Sequence, residues 1–230
     1  MSRLCSAALL LVVFAAAPAV AATPGFVEDF STDTGGFGVG GSSVTRVLSG
    51  GVGGVSDPYI SISNAAVSFL GSFTQAPEFV GNLTADGVTG FSFWLRDTGA
   101  NDNFQIHVGV GLAFSNFWLS VPGFVPPDGS WQQFTVDVTD PSQWVRIIGS
   151  GTFQQALAST DRVLFRHDVP PLVQMPEAVT GDFGLDRIQV LPAAASVPAI
   201  SDPGRALLGL LVVAVAGFVL HRRHRLALAS

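Results

Sequence analysis

The sequence predicts a mainly β, antiparallel sandwich set between two apolar chain ends, and three observations carry that prediction. Period-two alternation of apolar and polar residues runs through 91–96 (FSFWLR), 104–110 (FQIHVGV) and 134–138 (FTVDV), which gives each strand one apolar face. Turn-forming clusters lie between them, at 97–103 (DTGANDN) and 126–129 (PPDG), where Gly, Asn and Asp accept backbone angles that strands exclude. The only cysteine, Cys5, precedes the body of the chain. The fold must therefore rest on its core and not on disulfides.

The elements follow in order. Arg3, the apolar stretch 7–17 and the small residues Ala19, Ala21 and Ala22 have the layout of a secretory signal peptide over residues 1–22. Residues 23–191 suffice for one domain. Its first strand is expected near Glu28 and Asp29, and the glycine-rich stretch 34–54 reads as irregular strands and loops at a sheet edge. Further strands are expected at 59–63, 67–73, 114–121, 163–167 and 185–190, with a single short helix at 152–157. A linker follows at 192–204. Residues 205–225 then read as a transmembrane helix with a basic tip: 206–220 (ALLGLLVVAVAGFVL) is uncharged and spans roughly 22 Å as a helix. That is short against a hydrocarbon core of about 30 Å, a mismatch that snorkelling of Arg205 and Arg222 would reduce. Arg222, Arg223 and Arg225 behind the span would stay cytoplasmic, leaving the body outside.

Charge narrows the function. Residues 23–196 contain six arginines against 16 acids, a net charge of −10, whose field opposes nucleic acid and anionic lipid headgroups. Catalysis is not expected. A hydrolase needs two carboxylates with one pKa raised, yet only Glu28, Glu78 and Glu177 supplement aspartates that mostly sit in turns. His107 and His167 are the only histidines of the body; no G-x-S-x-G elbow accompanies them, and no cluster of His or Cys suits zinc. The alternation instead suggests a ligand platform. With Phe91, Phe93 and Leu95 inward, Trp94 and Arg96 point outward, as do Gln105 and His107 on the next strand; Phe117 and Leu119 inward would turn Trp118 outward. Two tryptophans beside hydrogen-bonding groups suit a sugar ring. The alternative is that loops cover them.

Two segments resemble known families. Val197-Pro198-Ala199-Ile200-Ser201, continuing to Gly204 and followed by the apolar run and arginine-rich end, resembles the PEP-CTERM and IPTL-CTERM sorting tails of bacterial surface proteins. The resemblance rests on Val197, Pro198, Ser201 and Gly204. It implies an exosortase-type processing enzyme as partner, and a location at the cell envelope with release to the surface or extracellular matrix. In the body, 79–83 (FVGNL), Gly87, 91–96 (FSFWLR), 128–136 (DGSWQQFTV), Trp144, Phe153 with Leu157, and 185–188 (LDRI) resemble the laminin B (laminin IV) domain in order and type. That implies a jelly-roll-like sandwich with an adhesive or ligand-binding role and no catalysis. In jelly-roll binding modules an acidic first strand lies near an acidic last strand, so Glu28, Asp29 and Asp186 are candidate ligands for a structural calcium; Asp97, Asn101 and Asp102 form a looser set, and solvated turn acids explain both. Two functions follow: a glycan- or matrix-binding envelope protein, or a structural, adhesive surface protein that contacts other proteins and stays anchored.

Overall fold

In the computed structural model the described residues lie almost wholly in one compact unit, which ends at Ala193. The residues described are 21–38, 40–99 and 104–194. The expected signal peptide, sorting motif, membrane helix and basic tip lie essentially outside them. Among the described residues no helix is long and apolar enough to cross a membrane.

This unit is an antiparallel β-sandwich. Its eleven strands are β1 (Val27–Glu28), β2 (Ser43–Val47), β3 (Tyr59–Phe69), β4 (Gly71–Thr74), β5 (Val88–Asp97), β6 (Ile106–Leu112), β7 (Asn116–Ser120), β8 (Gln132–Asp137), β9 (Trp144–Gly149), β10 (Arg162–His167) and β11 (Ala178–Pro192), with one short helix, α1 (Phe153–Leu157). The first sheet has the order β2-β3-β11-β5-β8, and β1 pairs with β11; the second has the order β4-β10-β6-β7-β9. Every pairing within them is antiparallel.

Alternation explains the layers. Phe91, Phe93 and Leu95 of β5 and Phe183, Leu185 and Val190 of β11 face Ile106, Val108 and Val110 of β6 and Val163 and Phe165 of β10 across the interior, all of them buried. Phe93 touches the opposite sheet through an edge contact with Phe165 at 5.0 Å and meets Phe124 at 5.2 Å. The sequence expectation of one strand over 67–73 is corrected: the chain leaves β3 at Phe69, buries Leu70, and enters the other sheet as β4. Gly71 permits that crossing, since a Cβ there would sit 2.6 Å from the Arg166 Cβ and 2.7 Å from the Phe165 carbonyl. The helix expected at 152–157 forms with a capping box: the Thr152 hydroxyl accepts from the Gln155 amide, and the Gln155 side chain accepts from the Thr152 amide. It buries Phe153, Ala156 and Leu157 against β6 and β7.

Removing the inter-sheet aromatic tests this account. Phe93→Ala is expected to cost about 3–5 kcal/mol, the range for a phenylalanine deleted from a packed core, measured by urea denaturation. A loss below about 1 kcal/mol would mean the sheets are held in another way.

Candidate functional site

The residues expected to form one platform divide between the two sheets. Trp94 and Arg96 lie on β5, whose neighbours are β11 and β8, whereas His107 and Trp118 lie on β6 and β7 of the other sheet. The premise that β5 and β6 are neighbours fails because the two strands belong to different sheets. Arg96 is already engaged: its guanidinium lies 4.8 Å from the rings of both Tyr59 and Trp131 and donates to the Gly50 carbonyl and the Tyr59 hydroxyl. Gln105 precedes its strand, where its backbone N–H donates to His167 Nδ1 and its carbonyl accepts from Asp168. His107 is fully buried beside Gly123, with Nδ1 2.7 Å from the Ser120 carbonyl, and burial holds its pKa below the ordinary value. Trp118 points inward. It lies opposite Val110, packs on Phe153 at 5.4 Å, and donates its indole N–H to Asn116 Oδ1.

The acids proposed for calcium do not converge. Glu28 lies opposite the core residue Ile188, and its Oε1 accepts from the Phe30 amide; Asp29 Oδ1 accepts from the Ser31 amide. Asp186 lies opposite Trp94 on the outer face of the first sheet, where Oδ2 accepts from Val52 N–H and Oδ1 from Arg187 N–H. The carbonyls of Phe30 and Ser31 accept from the Arg46 guanidinium, so a side-chain cation already lies against them. Among the described residues no group of three or more His, Cys, Asp or Glu is placed to hold a metal ion. This donor set does not fit a structural calcium.

What the fold does build is a groove on the outer face of the second sheet. Cross-strand pairing puts Phe73, Leu164, Gly109 and Leu119 in one row on this face, with Phe117 and Ile148 in the next. Gly109 keeps the floor low, since a Cβ there would lie 2.7 Å from the Phe117 ring and 3.1 Å from Leu164. Phe117 is thus directed into the groove and not into the core. Phe73, Phe114, Phe117, Ile147, Ile148 and Leu164 line one stretch with Arg162 and Arg166; Phe69, Gly71 and Pro176 continue it past Phe73.

Two arginines supply its polar groups. Arg162 Nε donates to Asp161 Oδ1 at 3.0 Å, while the guanidinium lies 4.3 Å from the Phe73 ring and 5.7 Å from that of Phe114. Its Nη atoms donate to no protein acceptor among the described residues. Arg166 is spent on structure: it pairs with Asp168 and donates to the carbonyls of Val173 and Gln174, which ties the 168–177 loop to the groove's rim, and only its buried Nε lacks a partner. Phe114, in the turn between β6 and β7, has φ +64° and is 78% exposed. A bulky residue in that left-handed region is strained, a condition that clusters at functional positions. Sequence reasoning missed this face. Its signal was present in 144–148 (WVRII) and 163–165 (VLF), strands apolar on both alternations.

No family model matches the chain, and no curated protein matches it by sequence. Among solved structures it is similar to a family 11 carbohydrate-binding module studied in solution, with a TM-score of 0.50 and 16% identity over 74% of this chain and 97% of the module. A family 11 module from a cellulosomal cellulase of Clostridium thermocellum gives 0.49 and 15% over 77% and 99%. An exo-β-agarase gives 0.50 and 12%, with 76% of this chain aligned to 25% of the enzyme. The shared feature is the fold: a jelly-roll-like sandwich of two antiparallel sheets.

Asp186 generates a pH prediction. Burial pushes its carboxyl from an ordinary 3.8 up to about 6, with Asp57 adding to the rise while Arg187 and the two backbone N–H groups oppose it. The folded value is the higher one, so its contribution is fully present below about pH 3.8 and is lost as pH rises through about 6. Relative to Asp186→Asn, the wild type is expected to lose on the order of 2 kcal/mol across that window. Urea denaturation of both proteins between these limits checks it; parallel pH profiles would contradict it.

Proposed function

We propose that this chain is an exported, non-catalytic envelope protein whose sandwich binds a polysaccharide in the groove of the β4-to-β9 sheet. The observation that carries this reading is Arg162, flanked by Phe73 and Phe114 with its Nη donors unspent. Sugar rings offer apolar C–H faces to aromatic rings and hydroxyl oxygens to such donors, and an apolar recess with few polar groups is the usual form of a ligand site. The similarity to a carbohydrate-binding module supports the reading through its fold. Residues 197–225 complete it as a sorting and anchoring tail, read by an exosortase-type enzyme, with Arg222, Arg223 and Arg225 on the cytoplasmic side. A second reading, adhesion to another protein, is favoured by the exposed Val169, Val173 and Met175 on the loop beside the groove.

Two measurements test these parts. Titration with soluble mixed-linkage β-1,3-1,4-glucan and with agarose oligosaccharides should show binding to at least one; Phe114→Ala and Arg162→Ala should each weaken it about tenfold at unchanged melting temperature. Unaltered affinity in both variants would remove the groove from the account. Intact mass of the protein recovered from its own envelope and medium addresses the tail. A species that starts near Thr23 and ends near Val197 supports sorting and release, whereas one that retains 206–230 contradicts release.

A further inference from the structure

The chain has four tryptophans, and three have their indole N–H groups and rings engaged by the protein. Trp118 donates its indole N–H to Asn116, Trp131 to the Gly50 carbonyl and Trp144 to the Asp137 carbonyl, each at 2.8–2.9 Å, and each ring has an aromatic partner. Trp94 differs. Among the described residues its N–H has no acceptor and its ring touches no aromatic ring or cation. Half-buried, it stands on the outer face of the first sheet, away from the groove, opposite Gln133 on one side and Asp186 on the other.

The surroundings of Trp94 are rich in uncharged hydrogen-bonding groups. Gln133 and Thr135 are exposed on the edge strand β8, and Gln189 lies beside Ser92 with Oε1 3.5 Å from its hydroxyl. The charged neighbours are occupied: Arg96 between Tyr59 and Trp131, Asp186 under the 50–57 segment, and Arg187 in its pair with Asp57. An open indole among side-chain amides and hydroxyls, with no free charge, matches a neutral polyhydroxyl chain: the ring stacks on C–H faces while amides and hydroxyls exchange hydrogen bonds with sugar hydroxyls. Arg187, next to Asp186 and partly exposed, is paired with Asp57 at 3.3 Å, so an acidic polymer would meet an ion pair here and not a free cation.

We propose that Trp94, with Gln133, Thr135 and Gln189, forms a second contact surface for a neutral polysaccharide, on the face of the sandwich opposite the groove. This rests on the glycan reading and adds bivalency to it. Two surfaces directed away from each other cannot hold one short oligosaccharide together; they bridge two polymer chains and so cross-link a matrix.

The test uses the full chain, short oligosaccharides of mixed-linkage β-1,3-1,4-glucan and of agarose, the corresponding long polymers, and the variants Trp94→Ala, Trp94→Phe and Phe114→Ala/Arg162→Ala. The Trp94 indole N–H resonance, identified by its loss in Trp94→Phe, should shift on oligosaccharide addition while those of Trp118 and Trp144 stay in place. Wild-type protein should raise the light scattering of the long polymer. Trp94→Ala should abolish that rise and weaken apparent affinity for the polymer on the order of tenfold through lost avidity, while groove affinity for oligosaccharide is kept and Trp94→Phe restores part of the cross-linking. Retained groove binding with an unmoved Trp94 resonance and cross-linking by Trp94→Ala would overturn the second surface alone. Absence of binding to both glycans in the wild type would overturn the glycan reading and this proposal together.

Discussion

The structure depends on an interleaved layer of phenylalanine between two sheets that no covalent bond joins. Cys5 is the only cysteine and lies ahead of the sandwich, so Phe93 against Phe165, Phe37 against Phe165 and Phe30 against Phe37 do the work that a disulfide does in many small domains. Aromatic edge contacts of this kind add to the burial of large apolar area. They also fix strand direction. Once Phe91, Phe93 and Leu95 are inside, alternation leaves Trp94 and Arg96 no choice but the outer face; the same rule, applied from Val108 and Val110, places Gly109 and its cross-strand partners Leu119 and Leu164 on the outside of the second sheet.

The two outer faces are finished differently. Over the first sheet the 50–57 segment is held by Asp186, Arg96 and Trp131, and Asp57 pairs with Arg187. That closes part of the face and forces a carboxylate into a dry site, which accounts for its raised pKa. Over the second sheet Leu119 and Phe117 are covered, while Phe73, Ile147, Ile148 and Leu164 are only partly buried. Arg166 ties the 168–177 loop to one side of the groove, His107 is covered by the 121–124 segment at one end, and the stretch between Phe73 and Ile148 stays accessible. Of the 16 phenylalanines outside the two chain ends, only Phe69 and Phe114 are exposed, and both border this groove.

Much of the fold was legible because several strands alternate cleanly: 91–96, 104–110 and 134–138 correspond to β5, β6 and β8 within a few residues. The helix was legible through its capping residues. What failed were inferences about which strand neighbours which. Sequence adjacency suggested that β5 and β6 pair, yet β5 is held between β11 and β8, and the long β11 bridges segments far apart in sequence. Trp118 was turned the wrong way because Phe117, Trp118 and Leu119 are all apolar, so 116–120 gives no alternation to read, and the register against Val110 decides. β9 went unnoticed for the same reason. His107 looked like an outward polar residue; only the fold shows the 121–124 segment above it.

The central claim is that the outer face of the second sheet receives a glycan, and amide shift mapping tests it most directly. On titration with oligosaccharides of mixed-linkage β-1,3-1,4-glucan or agarose, the largest saturable shifts are expected at Phe73, Phe114, Phe117, Ile148 and Leu164. A spectrum in which these residues stay unmoved while binding saturates elsewhere, or in which neither ligand moves any resonance, would contradict the account.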